Sequence, residues 1–153
     1  MERVKKRSES IMRITKTEER WFDIPNDLDG GRLKIKHLSP GEITDIFDKV
    51  FVQEINYKKG KKGKFEPRFS QKTNKGLDRK LTLTTAIVDW TNFYDLDGEL
   101  LDCTPDNIMR AAKEIDGFTE LVTEFRDQLA EDIEQEREDQ RKNLQSSVSE
   151  QAK

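Results

Sequence analysis

The chain has 153 residues, enough for one core of useful size and too few for two. Apolar residues make up 33% and charged residues 39%, so the core must be thin and the surface heavily ionised; an average domain has about 45–50% and 25%. The net charge of −3 conceals a polarised chain: residues 1–80 hold 21 Lys/Arg against 13 Asp/Glu, a net of +8, and residues 81–153 hold 7 against 18, a net of −11. No apolar run approaches the roughly 18–20 residues of a membrane span, which excludes a transmembrane helix. The start, Met1–Arg13, is basic with no apolar stretch behind it, so no signal peptide is expected. A single cysteine, Cys103, and a single histidine, His37, exclude an internal disulfide framework and leave Cys/His zinc sites and Cys–His pairs almost nothing to draw on.

Residues 1–10 are polar and charged and are expected to be disordered. From Ile11 the pattern is strand-like. Trp21–Ile24 leads to Pro25 and the turn-rich run Asn26–Gly31, and Arg32–Leu38 then alternates, with Leu33, Ile35 and His37 on one face and Arg32, Lys34 and Lys36 on the other. Two strands around an Asp/Gly-rich turn predict an N-terminal β-hairpin. Ser39-Pro-Gly-Glu42 predicts a capped helix start, and Ile43, Ile46, Phe47, Val50 and Phe51 recur at helical spacing, for about four turns that fail near Tyr57–Gly60.

Tyr57–Lys80 carries ten Lys/Arg against Glu66 and Asp78 alone. Gly60, Gly63, Pro67 and Gly76 argue against a regular element, so this stretch is expected to be a mobile basic loop pinned by Phe65 and Phe69. Leu81–Trp90 fits both periods: Leu81, Leu83, Thr85 and Ile87 alternate, whereas Leu77, Leu81, Thr84 and Val88 suit a helix, which its length favours. Phe93–Glu99 is a turn. Thr104-Pro-Asp-Asn107 starts a second capped helix, with Ile108, Ala111, Ala112 and Ile115 inward and Asp116-Gly117 as its end. The last helix carries Phe118, Leu121, Val122, Phe125, Leu129 and Ile133, and Leu144–Lys153 reads as a disordered tail. The expected fold is α+β, mainly α-helical with a small N-terminal β-hairpin, as one domain over residues 11–143.

None of the constellations supports catalysis, a cofactor or a metal. Asp95-Leu-Asp-Gly-Glu99 fails as a calcium loop: with Gly98 at the sixth position, Phe93 and Thr104 occupy the first and twelfth, where oxygen ligands belong. His37 has no nucleophile beside it in any recognisable motif. Cys103 precedes a helix start, which can lower a thiol pKa, but it lacks a partner and reads as structural. The basic stretch has the electrostatic footprint of a nucleic-acid binder, yet no RNA- or DNA-binding motif accompanies it, so nucleic acid is not the expected partner.

The order of motifs resembles a known family. Trp21-Phe-Asp-Ile-Pro25 and Arg32–Lys36 lead into the capped helix; Ala86-Ile-Val-Asp-Trp90, Tyr94-Asp-Leu-Asp-Gly-Glu99 and Cys103-Thr-Pro-Asp-Asn107 follow, and an acidic helix closes on Lys142-Asn143. This looks like the tail assembly chaperones of long-tailed bacteriophages and prophages, over about Trp21–Asn143, with the basic Tyr57–Lys80 stretch as a departure. The resemblance implies a non-enzymatic protein of the bacterial host's cytoplasm that keeps the phage tape measure protein soluble during tail morphogenesis and is absent from the mature virion. The tail tube protein is a further partner it suggests, and self-association stays open. The rival classes are a nucleic-acid-binding accessory protein using the basic stretch and a structural tail or connector subunit. For partner binding the stripe Phe118, Val122, Phe125 and Leu129, at spacings of 4, 3 and 4, is the expected surface, flanked by Glu120, Glu124, Asp127, Glu131 and Asp132. Because some of that stripe must close the core, Phe125 and Leu129 are favoured over Phe118 and Val122.

Overall fold

The computed structural model describes residues 16–151; the expectations for residues 1–10, for the strand start at 11–15 and for the last two residues lie outside them. The fold is α+β, with β1 (Glu19–Asp23), β2 (Arg32–Lys36), α1 (Pro40–Val50), β3 (Phe51–Lys59), β4 (Phe65–Thr73), α2 (Lys75–Ala86), β5 (Ile87–Thr91), α3 (Pro105–Glu114) and α4 (Phe118–Gln151). The strands form two separate antiparallel sheets, β1-β2-β5 and β3-β4.

The first sheet carries the core. The alternation of Arg32–Lys36 puts Leu33 and Ile35 fully inside, with Trp90 opposite Leu33 and Ile87 opposite Ile35. A bulge in β5 makes that pairing: Lys34 faces Asp89 and Ile35 faces Ile87, so Val88 is the extra residue and is left 40% exposed. This settles the double periodicity of Leu81–Trp90. The segment is a helix through Ala86 and a strand from Ile87, and Leu83 on the first part and Ile87 and Trp90 on the second enter one core.

Phe118, Val122, Phe125, Leu129 and Ile133 of α4 close that core, together with Ile108 and Ala111 of α3. Phe22 of β1 stacks on Phe125 at 4.8 Å, Trp90 stacks on Phe93 at 4.4 Å, and Phe118 meets Phe93 edge-on at 6.3 Å. The indole N–H of Trp90 donates to the Leu101 carbonyl at 2.7 Å, so the buried ring leaves no polar atom unpaired. Ile115, expected on the inner face of α3, is 48% exposed, because the helix ends at Glu114 and Ile115 is its extended cap.

Both predicted helix starts are present. Ser39 and Glu42 exchange the reciprocal bonds of a capping box, and the Thr104 hydroxyl accepts from the Asn107 N–H. Two boundaries differ from expectation. Helix α1 stops at Val50 after three turns, since the β-branched and aromatic residues that follow join a strand. Helix α4 continues to Gln151 where a disordered tail was expected. The run Glu134–Asn143 is rich in good helix formers, and Ser146, Ser147 and Ser149 hydrogen-bond back to carbonyls three residues earlier. Its 34 residues span about 51 Å at 1.5 Å each. The Arg20 guanidinium is the furthest tie to the body, reaching Asp132 at 3.3 Å and Glu136 at 2.6 Å.

Candidate interaction surface

The Tyr57–Lys80 stretch is not an irregular loop. Its first part is the end of β3 and the whole of β4, which pair as a nine-residue antiparallel ribbon, and its last part is the first half of α2. Each feature that argued for a loop has a place in the ribbon. Gly60-Lys-Lys-Gly63 is the turn: Gly63 N–H donates to the Gly60 carbonyl at 3.1 Å, Gly60 N–H to the Lys64 carbonyl at 2.8 Å, and Gly63 takes the left-handed φ of 73° that a three-residue hairpin loop needs. Gly76 sits in the first turn of α2, behind the Asn74 cap, whose side chain accepts from Leu77 N–H. The readable signal was the alternation of Phe51, Gln53, Ile55 and Tyr57 and of Phe65, Pro67 and Phe69 about that glycine turn.

The register sorts the ribbon into two unlike faces. One carries Phe51, Ile55 and Tyr57 from β3 with Phe65, Pro67 and Phe69 from β4, among Gln53, Lys59, Gln71 and Thr73; the other carries Val52, Glu54, Asn56 and Lys58 with Glu66, Arg68, Ser70 and Lys72. Nothing among the described residues covers the apolar face: Ile55 is 52% exposed, Tyr57 66%, Phe65 70% and Phe69 66%. At its base, on the α1 side of the Gln53–Gln71 pair, Phe47 packs against Phe51 with ring centroids 4.4 Å apart. There Ile43, Phe47, Val50, Phe51 and Thr73 line a groove of about 460 Å³ at the base of the ribbon. The helices hold that base. Strand β3 starts directly from α1, Asn74 N–H donates to the Val50 carbonyl at 3.0 Å, and Asn74 then caps α2. Covering four aromatic or branched side chains that are half exposed or more removes on the order of 400 Å² of apolar area, about 10 kcal/mol gross and far less net of association costs.

The expected partner stripe lies elsewhere and is not a surface. Phe118 is 3% exposed, Val122 1%, Phe125 7% and Leu129 0%, all within the core cluster. All four side chains are spent on closing the core of the first sheet, so none remains for a partner. The acidic residues Glu120, Glu124, Asp127 and Glu131 do lie on the outer side of α4.

The remaining candidates are structural. A cleft of about 530 Å³ opens between the Asn26–Gly31 turn and the α3–α4 junction. Its Asp27 carboxylate is engaged in the turn, accepting from the N–H groups of Asp29 and Gly31 at 3.1 and 2.8 Å. Asp95 does the same for Asp97 and Glu99, each at 2.9 Å. Burial pushes the Cys103 thiol up to about 11, with Asp89 adding to it, the opposite of an activated nucleophile. His37 follows β2 half-buried, its backbone N–H bonded to the Glu18 carbonyl at 2.8 Å. No group of His, Cys, Asp and Glu among the described residues could hold a metal ion, and no helix there is long and apolar enough to cross a membrane.

No family profile, curated protein or solved structure matches the chain.

Proposed function

We propose that this protein is a tail assembly chaperone of a long-tailed bacteriophage or prophage, a non-enzymatic holdase for the tape measure protein. The observation that carries the reading is the bare apolar surface on one side of the molecule, Ile43 and Phe47 on α1 at the base of the ribbon and, beyond the Gln53–Gln71 pair, Ile55, Tyr57, Phe65 and Phe69 along it. A surface of that size left bare is a binding site or an aggregation hazard. A protein whose task is to cover apolar helices needs such a face on a soluble, charged body. In this reading the ribbon and α1, not α4, seat the client, and the acidic outer side of α4 keeps the complex dispersed. The site of action is the host cytoplasm, and the chaperone leaves before the virion is complete.

The test is co-expression with the tape measure protein, whose gene is expected immediately downstream. Wild type should keep the client soluble, and Tyr57→Asp/Phe69→Asp should lose that ability while retaining its circular dichroism. A client held equally well by the double variant rejects this surface, and failure of wild type rejects the chaperone assignment. Recovery of the protein in purified particles would instead favour a structural tail subunit.

A nucleic-acid reading has one specific observation behind it: Lys61, Lys62 and Lys64 form the ribbon tip beside Tyr57 and Phe65. Such binding should be weak and collapse with salt, because phosphate contacts release counterions. Sub-micromolar affinity at physiological salt, lost on neutralising Lys61, Lys62 and Lys64, would put that reading first.

A further inference from the structure

The ribbon has two edges as well as two faces, and the edges differ. Gly60 N–H bonds the Lys64 carbonyl at one end and Asn74 N–H bonds the Val50 carbonyl at the other. Alternation between those ends makes the even-numbered residues of β3 and β4 the mutually hydrogen-bonded pairs, and points the N–H and C=O groups of the odd-numbered residues outward. Pro67 is therefore an outward position. It costs the ribbon no internal bond and removes one donor from the β4 edge, a common way of blocking strand addition. The β3 edge has no such block: Gln53, Ile55, Tyr57 and Lys59 all present outward N–H and C=O groups. A lone two-stranded ribbon is marginal in water, which leaves this edge and the apolar face to be covered.

We infer that β3 pairs with β3 of a second copy, antiparallel, about a two-fold axis through Asn56. Outward residues must meet outward residues, so only every second register is available. Centring on Glu54 would set two carboxylates opposite each other, and centring on Ile55 or Tyr57 would leave Glu54 opposite the partner's Asn56 or Gly60, with no opposite charge. Centring on Asn56 sets Glu54 opposite the partner's Lys58 twice over, in the closer, non-hydrogen-bonded type of pair, and sends the two lysine tips in opposite directions. The same register brings Ile55 beside the partner's Tyr57 on the other face, so the four strands share one apolar face of twice the length. This proposal concerns the β3 edge and goes beyond the client-binding reading.

Matched proline substitutions test it, because Gln53 and Gln71 face each other across the ribbon and both point their N–H groups outward. At tens of micromolar, wild type and Gln71→Pro should sediment at twice the 17.9 kDa chain mass, and Gln53→Pro at the chain mass. A monomeric wild type, a dimeric Gln53→Pro, or equal dissociation of both folded variants overturns the pairing. Should both prolines unfold the ribbon, Asn56→Cys in a Cys103→Ser background decides. Mild oxidation should cross-link it as a dimer, since facing residues of that type have Cα atoms about 4.5 Å apart. Arg68→Cys on the β4 edge should not cross-link, and no cross-link at position 56 overturns the inference. A monomeric Gln53→Pro that still solubilises the tape measure protein would leave the chaperone reading intact, so the two can fail separately.

Discussion

The two sheets of this protein are made of similar strands and meet opposite fates. In β2 the alternating apolar residues, Leu33 and Ile35, are wholly buried beneath α4; in β3 the alternating residues Ile55 and Tyr57 are more than half exposed. What differs is the supply of covering helix. The long α4 spends its entire apolar stripe on the first sheet, and α1 and α2 reach only the base of the ribbon. A chain with 33% apolar residues has enough for one closed core and a surplus strand pair that its described elements leave uncovered. The first sheet therefore stores stability, and the ribbon is where a partner can gain it.

The most forceful way to break this comparison is to truncate one apolar residue in each sheet's environment. Leu129→Ala removes a fully buried side chain and should cost about 2–5 kcal/mol. Phe69→Ser, on the bare ribbon face, should change stability by about 0.5 kcal/mol or less. Thermal or denaturant unfolding of the two variants checks this. Comparable losses would mean that the ribbon face is covered in solution by the protein itself.

A middle-sized effect is expected at Gly31, in the turn that joins β1 to β2. A Cβ there would lie 2.4 Å from Asp27 Oδ2, the atom that accepts the Gly31 N–H. Gly31→Ala must push that carboxylate out of the turn and should cost about 1–3 kcal/mol. By contrast, Gly63→Asn at the ribbon turn, where φ is 73° and nothing lies near the missing Cβ, should cost well under about 1 kcal/mol. Unfolding measurements that rank the two in reverse would place the stability of the molecule in the wrong sheet.

How far the sequence was readable follows the same division. Strand β2 and the starts of α1 and α3 were legible because each signal had one meaning: Arg32–Lys36 alternates cleanly, and Ser39 and Thr104 stand before Pro40 and Pro105 as caps. The ribbon is masked in the sequence by its lysines and glycines, which argue for a loop, although Ile55 and Tyr57 alternate as plainly as Leu33 and Ile35. The α4 stripe was correctly seen and wrongly assigned. Periodicity says that Phe125 and Leu129 share a face, and only the fold says what they face. Leu81–Trp90 could not be decided by either period alone, since the helix hands over to a bulged strand within it.

The smallest expected effect tests the joint between the two regions, at the start of α1. The Lys36 ammonium, 2.6 Å from Glu42, holds that carboxyl below its usual range, and the Ser39 N–H and hydroxyl add to this against the opposing effect of burial. A carboxyl whose folded pKa is depressed stabilises the fold above its unfolded pKa, and that contribution is lost as the pH falls through the folded value. Glu42→Gln keeps the capping geometry and removes the charge. It should lower stability at pH 7 by under about 1 kcal/mol, since both side chains remain partly exposed. At pH 3 wild type itself is losing the charge, so the difference should shrink toward zero. Melting curves of the pair between pH 3 and 7 read this directly, with a shift of about 2–4 °C per kcal/mol for a chain of this size. No gap at pH 7 would show that Glu42 acts through its cap bonds alone and that Lys36 contributes nothing to seating α1 on the first sheet.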